Sequence, residues 1–226
     1  MTLAAASTLD EVRLTRGDVD EVYRLYLSAL SRLPNPAAVR PDEPAFFDEI
    51  FAVGGGIVGF RDGPQLIAYG VLRPVLDSEH DRTGLASVVP AEAPLMVLDG
   101  SAVAPAYWRR GLQRAIIDTR IAEAARLGAS HVIAKASPGN IPSMRNLLKC
   151  GFATVALVRK PYGWRYVNHR PVAAPVRPAA DCQWMEAGRI DEAQDRFQAG
   201  EAAFACRAQD DGIGQLKFGP LRGGAA

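Results

Sequence analysis

Val103-Ala-Pro-Ala-Tyr-Trp-Arg-Arg-Gly-Leu-Gln-Arg114 is the stretch on which the reading of this 226-residue chain turns. Before it runs Leu95 to Val103 (LMVLDGSAV), which reads as a buried strand with Gly100 marking a bulge. After it, Arg109 to Leu127 reads as a helix, with Leu112, Ile116, Ile117, Ile121 and Ala124 on one face and Gly128 as its stop. A glycine at the start of a helix lets a bulky anion approach the backbone. The unpaired N–H groups of the first turn then point at that anion, favoured by a dipole worth roughly half a positive charge. Arg109, Arg110 and Arg114 add positive potential. These residues describe a cradle for a pyrophosphate, without saying whose. A solvated basic helix start fits them equally well.

Working outward, His131 to Ala136 reads as a strand. Asn140 caps a helix whose buried stripe is Ile141, Met144, Leu147 and Leu148, ended by Gly151. Thr154 to Val158 and Trp164 to His169 are two more strands. Toward the N-terminus, Met1 to Asp10 is a loose tail, and Glu11 to Thr15 alternates as a short strand. Asp18 and Glu21 have capping-box spacing ahead of an amphipathic helix over Asp18 to Ser31. Pro34 to Pro44 is a loop, and a short helix is expected near Ala45 to Phe51. Gly54 to Gly56 reads as a flexible turn. Gly56 to Arg61 and Gln65 to Arg73, joined by Asp62-Gly-Pro64, form a hairpin. Pro74 to Pro94 has no clear period; a loop that long is functional or hides a short helix. Past a linker-like Pro171 to Pro178, Asp191 to Gln198 is a short helix, and Ala203 to Arg207 and Gln215 to Phe218 are strand candidates.

Composition narrows the classes of function. A formal net charge of +1 argues against a nucleic-acid binder, which needs a marked basic excess. No run of eighteen apolar residues is present, so no membrane span is expected. The N-terminal residues do not read as a secretory signal, and a cytoplasmic location is the expectation. Cys150, Cys182 and Cys206 form no CxxC pair and read as reduced thiols; with His80, His131 and His169 they show no metal-ligand spacing. No metal site is expected. His131 reads as a satisfied residue at a strand edge, and Trp164 and Trp184 as packing residues.

Val103-x-Pro105 followed by Arg109-Arg110-Gly111-Leu112-Gln113-Arg114 resembles the coenzyme A motif of the GNAT (Gcn5-related N-acetyltransferase) superfamily, Gln/Arg-x-x-Gly-x-Gly/Ala after V-x-P. Gly111 holds the central glycine. Trp108 and Gln113 stand where Gln or Arg and Gly or Ala are usual. Pro138-Gly-Asn140-Ile-Pro-Ser143…Gly151-Phe152 resembles the family's N-x-x-S…G-F segment. Both together, in order and in the expected contexts, are far more specific than either alone. The resemblance covers roughly Arg13 to Arg170. It implies an α/β GNAT fold, a mixed central sheet with splayed central strands flanked by helices. A C-terminal β-rich extension is expected over 171–226, outside the acyltransferase domain of 1–170.

The resemblance also implies an acyl-CoA, most simply acetyl-CoA, as acyl donor. It would be held by Ser101, Ala102 and Val103 along the splayed strand, by Arg109 to Arg114 at the cradle, and by Asn140 and Ser143. Backbone N–H groups near Ser101 to Val103 would polarise the thioester carbonyl. Asp99, where the family often places a carboxylate, is the candidate general base or acceptor-positioning group; an Asp hydrogen-bonded at a bulge is the plainer reading. The tyrosine that often protonates the leaving thiolate is replaced by Leu147. Tyr162 is the candidate substitute, with Tyr166 beside it, against a plain reading of Tyr162 as a turn aromatic. The expected function is acyl transfer to an amine on a small molecule or peptide. The alternatives are a CoA-binding module without turnover, a carrier-protein donor, or other CoA-ester chemistry. Pro74 to Pro94 and the tail are expected to shape the acceptor pocket or a homodimer contact.

Overall fold

The computed structural model describes residues 9–33, 36, 39, 42–76 and 81–221. The expected tail over Met1 to Thr8, much of the Pro34 to Pro44 loop, part of the Pro74 to Pro94 segment and His80 lie outside the described residues. The chain begins with β1 (Asp10–Leu14), α1 (Val19–Leu30) and α2 (Pro44–Ala52). The hairpin β2 (Gly56–Asp62) and β3 (Gln65–Pro74) follows, then β4 (Leu95–Val103), α3 (Leu112–Arg126), β5 (His131–Ala136) and α4 (Ile141–Lys149). The remainder is β6 (Ala153–Lys160), β7 (Gly163–Pro171), β8 (Gln183–Glu186), α5 (Ile190–Gln198), β9 (Glu201–Ala208) and β10 (Gly214–Pro220).

One sheet joins all ten strands in the order β1-β2-β3-β4-β5-β7-β6-β9-β10-β8. Its pairs are antiparallel except β4 with β5, which the α3 crossover makes parallel. That parallel pair is short. Leu95, Met96 and Val97 face His131, Val132 and Ile133, and no pairing continues although β4 runs on to Val103 and β5 to Ala136. The two central strands therefore splay at their C-terminal ends. Three strands of the C-terminal extension continue the sheet, β9 meeting β6 at Thr154 opposite Ala203.

Both faces are covered. On one, Ile117 and Ile121 of α3 and Met144 and Leu148 of α4 pack over Leu72, Met96, Leu98, Val132 and Ala134. On the other, Leu85 and Val89 cover Val97, Ile133, Val155, Val158 and Val167. Leu85 and Val89 thus roof the sheet with buried apolar side chains from the described part of the Pro74 to Pro94 segment. At the β1–β3 end, Val22, Leu25 and Tyr26 of α1 and Phe47 and Ile50 of α2 bury Ile57, Ile67 and Tyr69. No helix among the described residues is long and apolar enough to cross a membrane.

Several local expectations are corrected. The cap before α1 is not Asp18 with Glu21. The Thr15 amide and hydroxyl both donate to Asp18 Oδ2 at 2.8 Å, so a short 3-10 turn over Arg16–Asp18 precedes the helix. Glu21 instead pairs with Arg61 at 2.6 Å and accepts the Leu66 amide, pinning α1 to the β2–β3 hairpin. α3 starts at Leu112 rather than Arg109, because Gly111 takes a left-handed φ of 85° that no helical residue has. His131 is not at an edge: β5 is interior, between β4 and β7, and His131 Nδ1 lies 2.9 Å from His169 Nε2. Trp164 and Trp184 are half-buried beneath Arg159 and Arg207, respectively.

Candidate active site

The splay between β4 and β5 opens at a bulge. Gly70 faces Ser101 and Leu72 faces Leu98, so Val71 of β3 alone opposes both Asp99 and Gly100. Arg120 of α3 holds this irregularity together. Fully buried, it donates through Nη1 to the carbonyls of Val71 and Asp99, both at 3.1 Å, and through Nε to Ile116 O. Gly70 makes room for it: a Cβ there would meet Ile116 at 2.4 Å and Arg120 Nε at 2.7 Å. An apolar helical stripe hides this arginine from sequence reading.

Beyond the bulge, the Ala104 amide donates to Ile67 O at 2.8 Å. Alternation along the strand turns the amides of Ser101 and Val103 to the other side, into the gap left by β5. Trp108 closes the next turn by donating its indole N–H to Val103 O at 2.7 Å. The chain then passes Arg109, a non-glycine residue at φ 64°, and Gly111 at φ 85°. Only the glycine takes that conformation without cost. The turn leaves the first-turn amides of α3 without an earlier turn to bond. Arg109, Arg110 and Arg114 are all exposed beside it. Arg110 lies over the Tyr107 ring at 4.9 Å, and Tyr107 donates to Asp62 at 2.6 Å. These residues line a cleft of about 240 Å³ with Leu9 and Leu112.

The second expected segment comes to the same place. Asn140 Oδ1 accepts the Ser143 amide at 3.2 Å, capping α4. Asn146, one turn on, donates to Gln113 Oε1 at 2.7 Å, tying α4 to the first turn of α3. Cradle, splayed strand and Asn/Ser segment therefore adjoin. A left-handed glycine at the helix start, exposed arginines and open strand amides fit an acyl-CoA.

The candidate proton-handling groups are less uniform. Asp99 accepts from Arg73 Nε at 2.7 Å. The same guanidinium holds Asp81 at 2.8 and 3.1 Å, and Lys135 of β5 stands 3.5 Å from Asp81. Burial opposes the Asp81 charge, but the hydrogen bonds and charge of Arg73 outweigh it and hold its carboxyl down to about 2. Burial likewise lowers Lys135, against the pull of Asp81. Sequence reading missed this network; its signal was a cation in each of two otherwise apolar strands, LIAYGVLRP and HVIAKA. Tyr162 lies exposed in the β6–β7 turn under Arg165, at 4.6 Å, and no hydrogen bond joins it to Asp99. Tyr166 is committed elsewhere: its buried hydroxyl donates to Ala187 O at 2.7 Å. Leu147 is core. Burial pushes the Cys150 thiol up to about 12, unlike a nucleophile. Among the described residues, no group of three His, Cys, Asp or Glu is arranged to hold a metal ion.

Residues 19–152 match the model of the acetyltransferase (GNAT) family. Among solved structures, the chain resembles the ribosomal-protein-S18-alanine N-acetyltransferase of Escherichia coli, at 17% identity over 73% of this chain and 94% of that one, with a TM-score of 0.56. It also resembles an N-acetyltransferase of Staphylococcus aureus Mu50, at 12% identity over 74% of this chain and 99% of that one, with a TM-score of 0.56. A phosphinothricin acetyltransferase of Sinorhizobium meliloti, solved with acetyl-CoA, is 14% identical over 73% of this chain and 88% of that one, with a TM-score of 0.53. Likeness at such identities shows the fold alone. No curated protein sequence matches the chain.

Proposed function

The chain belongs to the acetyltransferase (GNAT) family, and from that premise we propose that it transfers an acyl group, most simply acetyl, from coenzyme A to an amine. The observation that carries this reading is the junction of three features: the β4–β5 splay, the left-handed Gly111 opening α3, and the Asn146–Gln113 tie to α4. A solved acetyltransferase that holds acetyl-CoA resembles this chain in fold.

When bound, the acyl-CoA supplies a thioester whose C–S bond is exchanged for a C–N bond to the amine. The amides of Leu112 and Gln113, with Arg109 and Arg114, hold the pyrophosphate. Ser101 and Val103 direct amide N–H groups at the pantetheine arm and the thioester carbonyl. Asn140 and Ser143 flank the same arm. Asp99 faces the acceptor and positions the amine or takes its proton, directly or through water. The leaving thiolate takes up one proton; Tyr162 is the side chain assigned to give it, and a thiol of ordinary pKa about 8.5 also leaves unaided. The described residues up to Arg170 carry this site, and β8, β9 and β10 extend the sheet beyond β6.

A second reading is a CoA-binding module without turnover. The Arg73 guanidinium on Asp99 and the buried Leu147 favour it. Thermal unfolding with about 1 mM CoA, acetyl-CoA and longer acyl-CoAs tests the shared premise. Ligand at ~100 times its Kd adds about 2.7 kcal/mol, several degrees for a chain of this size. A shift that Gly111→Glu abolishes supports the cradle. A well-folded sample that shows no shift with any CoA ester rejects it.

A further inference from the structure

Lys135 has no place in the acyl-transfer steps above, yet it stands at the gap where they occur. The last paired residues of β4 and β5 are Val97 and Ile133. Two residues further along each strand, Asp99 and Lys135 lie on the same face of the sheet, on opposite walls of the splay. Both meet the Arg73–Asp81 pair there. Asp99 accepts from Arg73 Nε at 2.7 Å, and Lys135 Nζ stands 3.5 Å from Asp81 Oδ1. Arg73 holds Asp81 more closely, at 2.8 and 3.1 Å, so the ammonium is the looser of its two cations. The Lys135 side chain is 15% exposed and so is not sealed in the core.

Only four of the chain's 26 basic residues are lysines: Lys135, Lys149, Lys160 and Lys217. A second arginine would serve two carboxylates better, through the fork of its guanidinium. What lysine alone offers is an amine that can lose its proton. Burial drives Lys135 in that direction and the Arg73 charge adds to it, against the pull of Asp81 and Asp99. A neutral primary amine attacks carbonyl carbon. In the acyl-CoA reading the thioester carbonyl is held on the facing wall, by β4 amides that begin at Ser101, two residues past Asp99.

We propose that Lys135 is a self-acylation site, whose Nζ takes the acyl group from bound acyl-CoA when no acceptor is present. This rests on the acyl-CoA reading. The ammonium gives one proton to water, and the amine attacks the thioester carbonyl. The C–N bond forms as the C–S bond breaks, and a second nitrogen proton goes to the departing thiolate. The product is a neutral amide, which leaves Asp81 and Asp99 to Arg73 alone. The full chain is incubated with acetyl-CoA carrying an isotope-labelled acetyl group, and its four lysines are followed by peptide mass spectrometry. Lys135 is expected to take up label at least ~10-fold faster than exposed Lys149 or half-buried Lys217, because amine and thioester are held side by side. Gly111→Glu, which closes the cradle, is expected to abolish label at Lys135 alone. An excess of unacylated CoA is expected to do the same in the wild-type protein. Label at Lys135 no faster than at Lys149, or undiminished by excess CoA, is solution chemistry and overturns the inference. No label at Lys135, while acetyl-CoA still raises Tm, overturns it too and leaves the acyl-CoA reading standing. Absence of any acetyl-CoA shift takes down both.

Discussion

Arg73 Nε donates to Asp99 Oδ2 at 2.7 Å while the terminal nitrogens of the same guanidinium hold both oxygens of Asp81. The carboxylate at the β4 bulge is thus one arm of a network that ties β3, β4 and Asp81 from the segment that follows β3. Asparagine at position 99 can still accept the Arg73 N–H, so Asp99→Asn separates charge from architecture. Its Tm should stay close to wild type. If Asp99 handles the amine proton, kcat should fall at least ~10²-fold with the Kd for CoA unchanged. Arg73→Lys should lose several degrees of Tm, since one ammonium cannot hold two acids in the fork geometry of a guanidinium. Turnover that survives Asp99→Asn would make the carboxylate an anchor for Arg73 only.

The bulge itself is testable through Gly70, which faces Ser101 across the β3–β4 pair. A methyl there would meet Ile116 at 2.4 Å and push on Arg120 Nε at 2.7 Å. Overpacking of this kind costs about 1–3 kcal/mol. Gly70→Ala should therefore lower Tm by several degrees. It should also lower kcat more than it weakens CoA, because Arg120 holds the carbonyls that fix the bulge and not the cradle. Equal losses in both, or in neither, would disconnect Arg120 from the site.

Much of this was legible in the sequence. Apolar runs bounded by turn residues gave β5 to the residue, and Asn140 proved to cap α4 as its position before an apolar stripe suggested. The α/β class followed from the order of elements, and the splayed sheet was what the resemblance carried by the two motifs implied. What stayed hidden has physical reasons. β8 is four residues at the end of the sheet, too short to show a period. Arg120 sits on a helix whose other inward residues are aliphatic, and two of the backbone carbonyls it binds come from distant strands. The Arg73–Asp81–Asp99 network joins residues up to 26 positions apart.

Gln113 departs from the family pattern of a small residue, and Asn146 explains how the site accommodates it. The 2.7 Å bond from Asn146 Nδ2 draws the Gln113 side chain toward α4, leaving the first-turn amides of α3 open. Gln113→Ala should keep the Kd for CoA within about 3-fold, since the side chain is already turned aside. Asn146→Ala should weaken CoA more, by about 5–20-fold, the worth of one or two kcal/mol, because the released amide competes for those N–H groups. Calorimetric titration of CoA decides the order. A larger loss in Gln113→Ala would mean that the glutamine amide itself holds the ligand.

Acid sensitivity should arise at the far end of β5, where His131 Nδ1 and His169 Nε2 lie 2.9 Å apart with stacked rings. One ring nitrogen must donate and the other accept, so the folded pair is held neutral or nearly so. Burial first, then His131, hold His169 down to about 4. An unfolded histidine takes up its proton near pH 6.5. Between those values the unfolded chain binds more protons than the folded one, so stability falls as pH falls. The contribution is complete above about pH 6.5 and lost toward pH 4, on the order of 3 kcal/mol in full. Asp81, also depressed, loses its contribution only below its ordinary 3.8, toward about 2, so its window lies lower. His169→Gln keeps a hydrogen-bonding group near the Nε2 position without the titration. Its Tm should match wild type near pH 7.5 and fall less steeply from pH 6.5 to 4.5. Parallel curves for the two proteins would place the acid lability in other groups.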